Sequence, residues 1–356
     1  MSHVRAFVNA MACFVPDQDV HREFIGWAER QIGDPRRQAL FRRMAERSGI
    51  GHRWSVLPAT QGGGSPVAPG GFYAGNMPST SERMRVYAQA APELALSAIS
   101  KLRQTAPLDG VTHLVVASCT GFVAPGVDQI IAQALGLADV ERTLIGFMGC
   151  YAAIAALRTA RHIVRSEPDA RVLVVTVELS SLHLQDTSDL EALLAMLQFG
   201  DGAAAALVTS DAHGFALRQP FSINLPDSDE LIRWTIGDTG FAMHLAGEVP
   251  GRIGAALKQQ PVRDRLLGDR ALGEIDCWAV HAGGRSILDA VERSLDLPAD
   301  ALAASRDVLA RFGNMSSSTL MFVLAELLPQ ANHRVGIALA FGPGLAAEGL
   351  HFERAH

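Results

Sequence analysis

Three residue types used in acyl transfer occur in the chain as Cys150 in FMGCYAAIAAL, His281 in WAVHAGGR and Asn314 in RFGNMSSST. A thiol at the start of a helix is expected to have a lowered pKa, because the helix dipole and free N–H groups stabilise its anion. A neutral amide is the kind of donor that binds a developing enolate or oxyanion. Taken singly, each residue is explained equally well by a structural role: a core cysteine, a half-buried histidine and a helix cap. Together, in this order, they predict an acyl-transfer site.

Residues so far apart in the chain need a framework of strands and helices that brings them together. The predicted strands are Val111–Ser118, Thr143–Phe147, Arg171–Leu179, Ala203–Val208, Cys277–Val280 and Val335–Phe341. The predicted helices are Pro125–Leu135, a buried helix that opens at Cys150, Arg285–Leu295 and Ser316–Leu328. Continuous apolar strands that alternate with helices are typical of a sheet covered on both faces. We predict a layered α/β protein in two halves, residues 1–210 and 211–356, with a Gly/Pro-rich loop over Thr60–Ser81 at the surface or at an entrance.

Composition excludes several other classes of protein. The 356 residues are 48% hydrophobic and 19% charged with a net charge of -6, so disorder and a nucleic-acid footprint are not expected. No apolar run reaches the ~18–20 residues that span a bilayer, and the N-terminus resembles a first strand rather than a signal peptide. The four cysteines (13, 119, 150 and 277) lack the spacing of a metal site and are expected to be reduced thiols in a cytoplasmic protein.

Several motifs carry a family resemblance that covers the chain from about His52 to its C-terminus. They are FMGCYAAIAALR, QFGDGAAAALV, WAVHAGGRSILDAVE, GNMSSSTLMFVL and FGPGL. With these motifs the chain resembles a type III polyketide synthase, of the chalcone synthase-like branch of the thiolase-fold condensing enzymes. The resemblance implies a thiolase-like αβαβα fold with two similar halves. It also implies a homodimeric acyltransferase that uses acyl-CoA and malonyl-CoA and needs no cofactor or metal.

The resemblance also implies roles for the three candidate residues. Cys150 matches the nucleophile that accepts the starter acyl group and later holds the growing chain. His281 matches the histidine that keeps this cysteine as a thiolate and hydrogen-bonds the thioester carbonyl. Asn314 matches the amide that, with the histidine, stabilises the enolate formed when malonyl-CoA loses carbon dioxide. Two donors in a dry cavity are physically suited to that charge.

Further positions match the family's substrate pocket, and some of them carry residues that differ from those of the plant enzymes. The pocket positions are Phe199, Ser316, Cys119, Thr120, Ser180, His183, Trp234 and Met243. Met243 replaces a second gatekeeping aromatic residue of the plant enzymes, Trp234 replaces a cavity glycine, and Ala124 replaces a methionine that crosses the dimer interface. Cys119 in SCTGF follows the pattern of bacterial relatives, and the stretches ELSSLHLQ and RWTIGDTGFAMHL resemble bacterial alkylresorcinol or alkylpyrone synthases that take fatty acyl starters. Arg43, Arg47 and Arg53 could meet CoA phosphates or form a solvated helix face.

Alternative functions share parts of this pattern. A ketoacyl synthase III-like enzyme has the same Cys, His, Asn order but performs one condensation on a carrier protein. A cysteine hydrolase with Asn as the orienting residue would release a free acid. A third alternative is a catalytically silent binding protein of the same fold. Because the sequence shows no carrier segment and no dinucleotide fingerprint, we expect ketone groups to survive until the chain closes into a pyrone, a resorcinol or a similar ring.

Overall fold

The computed structural model describes residues 4–355, which form 13 strands and 11 α-helices. The strands are β1 (Ala6–Phe14), β2 (Gln18–Asp19), β3 (Trp54–Ser55), β4 (His113–Ser118), β5 (Glu141–Gly146), β6 (Val172–Leu179), β7 (Asp201–Thr209), β8 (Phe215–Asn224), β9 (Ile232–Gly237), β10 (Gly240–Leu245), β11 (Cys277–Val280), β12 (Val335–Gly342) and β13 (Ala346–Arg354). The helices are α1 (His21–Gln31), α2 (Pro35–Glu46), α3 (Thr80–Arg103), α4 (Val127–Ala134), α5 (Ala152–Ser166), α6 (Leu190–Met196), α7 (Val249–Leu257), α8 (Gln260–Leu267), α9 (Arg285–Ser294), α10 (Ala303–Phe312) and α11 (Ser317–Leu327).

Nine strands form one sheet in the order β11-β12-β13-β8-β1-β7-β6-β4-β5. The two halves of this sheet repeat one pattern. The parallel pair β4–β6 is followed by antiparallel β7 and β1, and the parallel pair β11–β12 is followed by antiparallel β13 and β8. A short antiparallel pairing of β1 with β8 joins the halves. The predicted division after residue 210 falls in the turn between β7 and β8, and its assignment as a domain boundary stays a prediction.

The alternation of side chains along the strands produces five layers. In β4, Leu114 and Val116 pack in one core with α3, whereas Val115 and Ala117 pack in a second core with α5 and α11. In β12, Ala338 belongs to the second core, and Leu339 packs with α7 and α9 in a third. Helices α5 and α11 therefore lie between the two halves of the sheet, with helices outside both, which is the predicted αβαβα arrangement.

Several observed boundaries differ from the predicted ones by a few residues. The buried helix begins at Ala152 rather than at Cys150, and α4 begins at Val127 rather than at Pro125. The Gly/Pro-rich segment is irregular up to Ser79, where a capping box of Ser79 and Glu82 starts α3 inside the predicted loop. Among residues 4–355, none of the helices is long and apolar enough to cross a membrane. The same part of the chain contains no group of three His, Cys, Asp or Glu side chains placed to hold a metal ion.

Candidate active site

The three candidate residues lie at element ends that meet around α5 and α11. Cys150 lies in the loop between β5 and α5, His281 directly follows β11, and Asn314 lies between α10 and α11. The Asn314 side chain lies close enough to the Cys150 thiol to lower its pKa, and its Nδ2 donates to the Gly283 carbonyl at 3.4 Å. Gly283 closes a tight turn on His281, because its N–H donates to the His281 carbonyl at 2.9 Å. Asn314 thus connects the cysteine loop to the histidine turn.

Unusual backbone conformations surround this site. Among residues 4–355, five non-glycine residues have positive φ, and three of them are Phe147 (φ 55°), Ser316 (φ 48°) and Leu345 (φ 47°), which lie in the FMGC, NMSS and GPGL segments. Gly149 has φ 80°, and a Cβ atom there would lie 2.4 Å from Cδ of Pro343. Conformations that cost energy persist where the surrounding structure enforces them. The GPGL segment packs against the cysteine loop in this way and fixes its path.

Burial controls the charge of both Cys150 and His281. It raises the pKa of Cys150 to about 12, although contacts from the Ser316 and Asn314 side chains lower it. The lowered thiol pKa expected from the helix terminus is therefore wrong for the substrate-free protein, because desolvation outweighs the helix. Burial also lowers the pKa of His281 to about 3. Burial thus favours the neutral thiol and the neutral imidazole, so formation of a thiolate requires proton transfer during the reaction.

The His281 ring has unused hydrogen-bonding capacity. The residue is 2% exposed, and within residues 4–355 neither Nδ1 nor Nε2 has a hydrogen-bond partner. A buried polar group without a partner is costly, and such groups concentrate where a ligand completes them. His281 is therefore arranged to bind a group that enters the site.

Glu178 lies behind the cysteine loop and was not among the residues predicted from the sequence. Its Oε2 accepts hydrogen bonds at 2.9 Å from the Cys119 N–H and from the Thr120 hydroxyl, and its Oε1 accepts from the Ser317 hydroxyl. Burial raises its pKa to about 7, despite these bonds. A lone glutamate inside the apolar strand RVLVVTVEL was the available signal, because a buried carboxyl needs partners.

A cavity of about 80 Å³, called the inner cavity below, adjoins this site. Its wall is formed by Val20, Phe24, Arg53, Ser55, Leu57, Ser65, Pro66, Val67, Tyr73, Ser180, Ser181, His183, Leu184, Gln185, Ala192, Met196, Phe199, Trp234 and Met243. Of the predicted pocket residues, Phe199, Ser180, His183, Trp234 and Met243 lie in this wall. Cys119 and Thr120 do not line the cavity; both donate hydrogen bonds to the Glu178 carboxylate. Ser316 lies beside Cys150 instead.

The wall nearest the site is firmly held. Phe199 forms a bridge with Asn314, and Trp234 donates from Nε1 to the Cys119 carbonyl at 3.0 Å. Met243 lies directly opposite Trp234 in the β9–β10 hairpin. His183 donates from Nε2 to the Thr120 carbonyl at 2.7 Å and accepts the Phe241 N–H at Nδ1, which fixes its neutral tautomer. Through Asn314 and Cys119 these contacts connect the wall of the inner cavity to the residues around Cys150.

Two of the three predicted arginines lie in a surface cleft of about 430 Å³, called the outer cleft below. Arg43 and Arg47 line it together with Arg285, which was not among the predicted residues. Gln198 also lines the cleft, and its carbonyl accepts the Asn314 N–H at 2.7 Å. The outer cleft therefore reaches the backbone beside the candidate amide.

Arg53 does not belong to this surface. It is 3% exposed, and its Nε donates to His21 Nδ1 at 3.0 Å. Its Nη1 donates to the Met196 and Phe199 carbonyls at 3.0 and 2.7 Å. The prediction that Arg53 meets CoA phosphates at the surface is wrong, because the folded chain buries it behind Phe199.

Comparisons with known proteins match nearly the whole described chain. The family model for chalcone and stilbene synthases, N-terminal domain, matches residues 5–212, and that for the C-terminal domain matches residues 217–354. The alpha-pyrone synthesis polyketide synthase-like Pks18 of Mycobacterium tuberculosis is 36% identical over 288 residues, 76% of this chain and 73% of the relative. The bisdemethoxycurcumin synthase of Oryza sativa is 35% identical over 301 residues, 78% of this chain and 75% of the relative.

Solved structures show the same similarity along the whole chain. PKS-I from the brown alga Ectocarpus siliculosus superposes with a TM-score of 0.90 at 27% identity, covering 99% of both chains. The C-terminal type III polyketide synthase domain of Steely1 from Dictyostelium superposes with a TM-score of 0.88 at 26% identity, covering 99% of this chain and 100% of that one. From the layered fold and the two matching family domains we conclude that the chain belongs to the chalcone and stilbene synthase family. It is a type III polyketide synthase, an acyltransferase.

Proposed function

We propose that Cys150, His281 and Asn314 carry out repeated decarboxylative condensation of malonyl-CoA onto an acyl-CoA starter. The observation that carries this proposal is the buried His281 ring, whose nitrogens lack hydrogen-bond partners within residues 4–355. The Asn314 amide bonds the Gly283 carbonyl in the turn after this ring, and its side chain lowers the pKa of the Cys150 thiol. Two neutral groups in a site closed to bulk water are suited to bind the oxygen of an enolate. No cofactor is proposed, because this chemistry needs no redox step.

The proposed reaction begins with transfer of the starter to Cys150. His281 accepts the thiol proton as Sγ attacks the thioester carbonyl, and the proton passes to the departing CoA thiolate. Malonyl-CoA then loses carbon dioxide, and the resulting enolate oxygen accepts hydrogen bonds from His281 and Asn314. The enolate carbon attacks the acyl group on Cys150 and displaces Sγ. The extended chain, now on CoA, returns to Cys150 for the next round.

We infer a ring-closed ketone product, because the proposed chemistry includes no reduction. The name of the Mycobacterium relative refers to alpha-pyrone synthesis, which supports a pyrone-type ring, and a resorcinol remains the alternative. A fatty acyl starter stays a prediction. To test the function, purified protein is incubated with malonyl-CoA and a panel of acyl-CoA starters, and products are identified by mass spectrometry. We expect products that contain two or more malonyl-derived units. Strict dependence on an acyl carrier protein would favour the ketoacyl synthase III-like alternative.

We propose that the outer cleft binds the phosphates of CoA. Arg43 and Arg47 line this cleft, and guanidinium groups match phosphate geometry. Replacing both with alanine is expected to raise KM for malonyl-CoA by about tenfold with little change in kcat, since a charged hydrogen bond is worth roughly that factor. Steady-state kinetics measure this, and Arg36→Ala on the same helix serves as the control. An equal rise in KM for a truncated thioester without phosphates would contradict the assignment.

We propose that the protein is a homodimer that pairs along β5. This strand is the edge of the sheet, most of its residues are exposed, and Leu144 is 48% exposed with Phe122 at 49%. An uncovered strand edge with apolar side chains favours pairing with a second copy. Leu144→Glu is expected to shift the protein to a monomer in light scattering after size-exclusion chromatography, whereas Met44→Glu leaves a dimer. A monomeric wild type would contradict this proposal.

We also propose a cytoplasmic location. The supporting observation is that the four cysteines are all free thiols, a state that a reducing compartment maintains.

A further inference from the structure

The inner cavity contains two polar groups that the protein itself does not satisfy. Arg53 uses Nε and Nη1 for the bonds described above, and its Nη2 has no partner among residues 4–355. The Ser180 hydroxyl is likewise without a partner in that part of the chain, and Ser180 is 8% exposed. Both residues lie in the wall of the inner cavity. Their unused donors indicate an acceptor that the cavity is built to receive.

The carboxylates near Arg53 are engaged elsewhere. Asp19 accepts the backbone N–H groups of His21 and Arg53 and faces the His52 ring. Asp201 accepts from the backbone and hydroxyl of Ser181 and from the Val56 N–H. Burial lowers the pKa of Arg53 to about 9, although both carboxylates raise it. The guanidinium is therefore a buried donor whose charge is only partly compensated.

The rest of the wall is mainly apolar. Val20, Phe24, Leu57, Val67, Leu184 and Met196 contribute to it. Because one water-sized group needs about 10–15 Å³ of such space, the cavity of about 80 Å³ has room for a short carbon chain with one polar atom. Phe199 and Trp234 in its wall contact Asn314 and Cys119 near Cys150, so the inner cavity is placed to receive the end of an acyl chain farthest from the thioester.

We propose that the inner cavity binds the distal end of the starter acyl group through an oxygen atom that accepts hydrogen bonds from Arg53 Nη2 and Ser180 Oγ. The carbon chain packs against the apolar wall. This inference rests on the proposed function, since it assigns the substrate class of the same site. On this inference the starter is a short acyl group with a ketone, hydroxyl or carboxylate oxygen near its end, in place of the fatty acyl starter that the resemblance implies.

The test compares pentanoyl-CoA with levulinoyl-CoA, which is the same chain with a ketone near its end. We expect wild type to prefer levulinoyl-CoA in kcat/KM by about tenfold, the value of a hydrogen bond to a charged donor. Ser180→Ala is expected to reduce this preference about threefold, and Arg53→Lys to remove it. Val67→Phe, which only fills space, lowers both values and keeps their ratio. Melting temperatures verify that each variant is folded.

Binding of the same two thioesters to Cys150→Ala, measured by calorimetry, separates this inference from the proposed function. A preference for levulinoyl-CoA in binding, without product from any starter in wild type, would refute condensation but support the cavity assignment. A stronger preference for glutaryl-CoA would also support it and identify a carboxylate as the oxygen bound. A ratio near one in wild type for both oxygenated starters would overturn it and show that the two groups hold only water.

Discussion

Cys150→Ala is expected to abolish product formation, by at least about a thousandfold, while decarboxylation of malonyl-CoA continues. The substitution removes the atom that carries the acyl chain, so no electrophile is available for the enolate. It leaves His281 and Asn314, which bind the enolate oxygen. The residual reaction converts malonyl-CoA to acetyl-CoA and carbon dioxide, because the enolate takes a proton instead of an acyl group. Liquid chromatography with mass spectrometry follows both products in one sample.

Cys277→Ala provides the matched control for this experiment. Cys277 is also a buried free thiol, but it lies in β11 and faces the core around α11. Its replacement should change stability more than chemistry, so product formation should persist. Undiminished product formation by Cys150→Ala would rule out the nucleophile assignment.

Asn314→Ala is expected to lower decarboxylation and condensation together, by about 10²–10³-fold. Both steps pass through the enolate, whereas loading of the starter on Cys150 does not. Intact-protein mass spectrometry should therefore still detect the acylated enzyme. Release of carbon dioxide and formation of product are measured in parallel.

Asn314→Asp distinguishes loss of the donor from damage to the loop. In the wild type, Asn314 Oδ1 accepts the Ser316 N–H at 2.8 Å, in a turn where Ser316 has positive φ. Aspartate keeps that acceptor but replaces the amide donor with a negative charge, so its activity should be no higher than that of the alanine variant. Near-normal decarboxylation by Asn314→Asp would show that Asn314 only holds the loop.

The layers of the fold could be predicted because burial on both faces leaves a clear pattern. The run RVLVVTVEL is apolar at successive positions, and β6 within it is buried along its whole length. The prediction was less accurate where local caps decide the boundary, as at Ser79, where a two-residue capping box starts α3 earlier than composition suggested. A short-range signal therefore sets the start of α3, whereas long-range burial sets the strands of the sheet.

The environment of the site was harder to predict than its residue types. Arg53 is buried by His21, Met196 and Phe199, which are between 32 and 146 positions away in the chain. No local pattern indicates such contacts, so its exposure could not be inferred. The same applies to Cys150. Its position before a helix predicts a lowered pKa, but desolvation by elements distant in the chain raises that pKa. Residue types predicted the chemistry, but tertiary packing determines the protonation.

Mass spectrometry of the enzyme during turnover provides the most direct test of acyl transfer through Cys150. Wild-type protein is mixed with an acyl-CoA starter and malonyl-CoA, quenched and digested, and the four cysteine peptides are compared. We expect the Cys150 peptide to carry the starter alone and the starter extended by successive two-carbon ketide units, with Cys13, Cys119 and Cys277 unmodified. Product accumulation while Cys150 stays free, or while the acyl group lies on another cysteine, would contradict the mechanism.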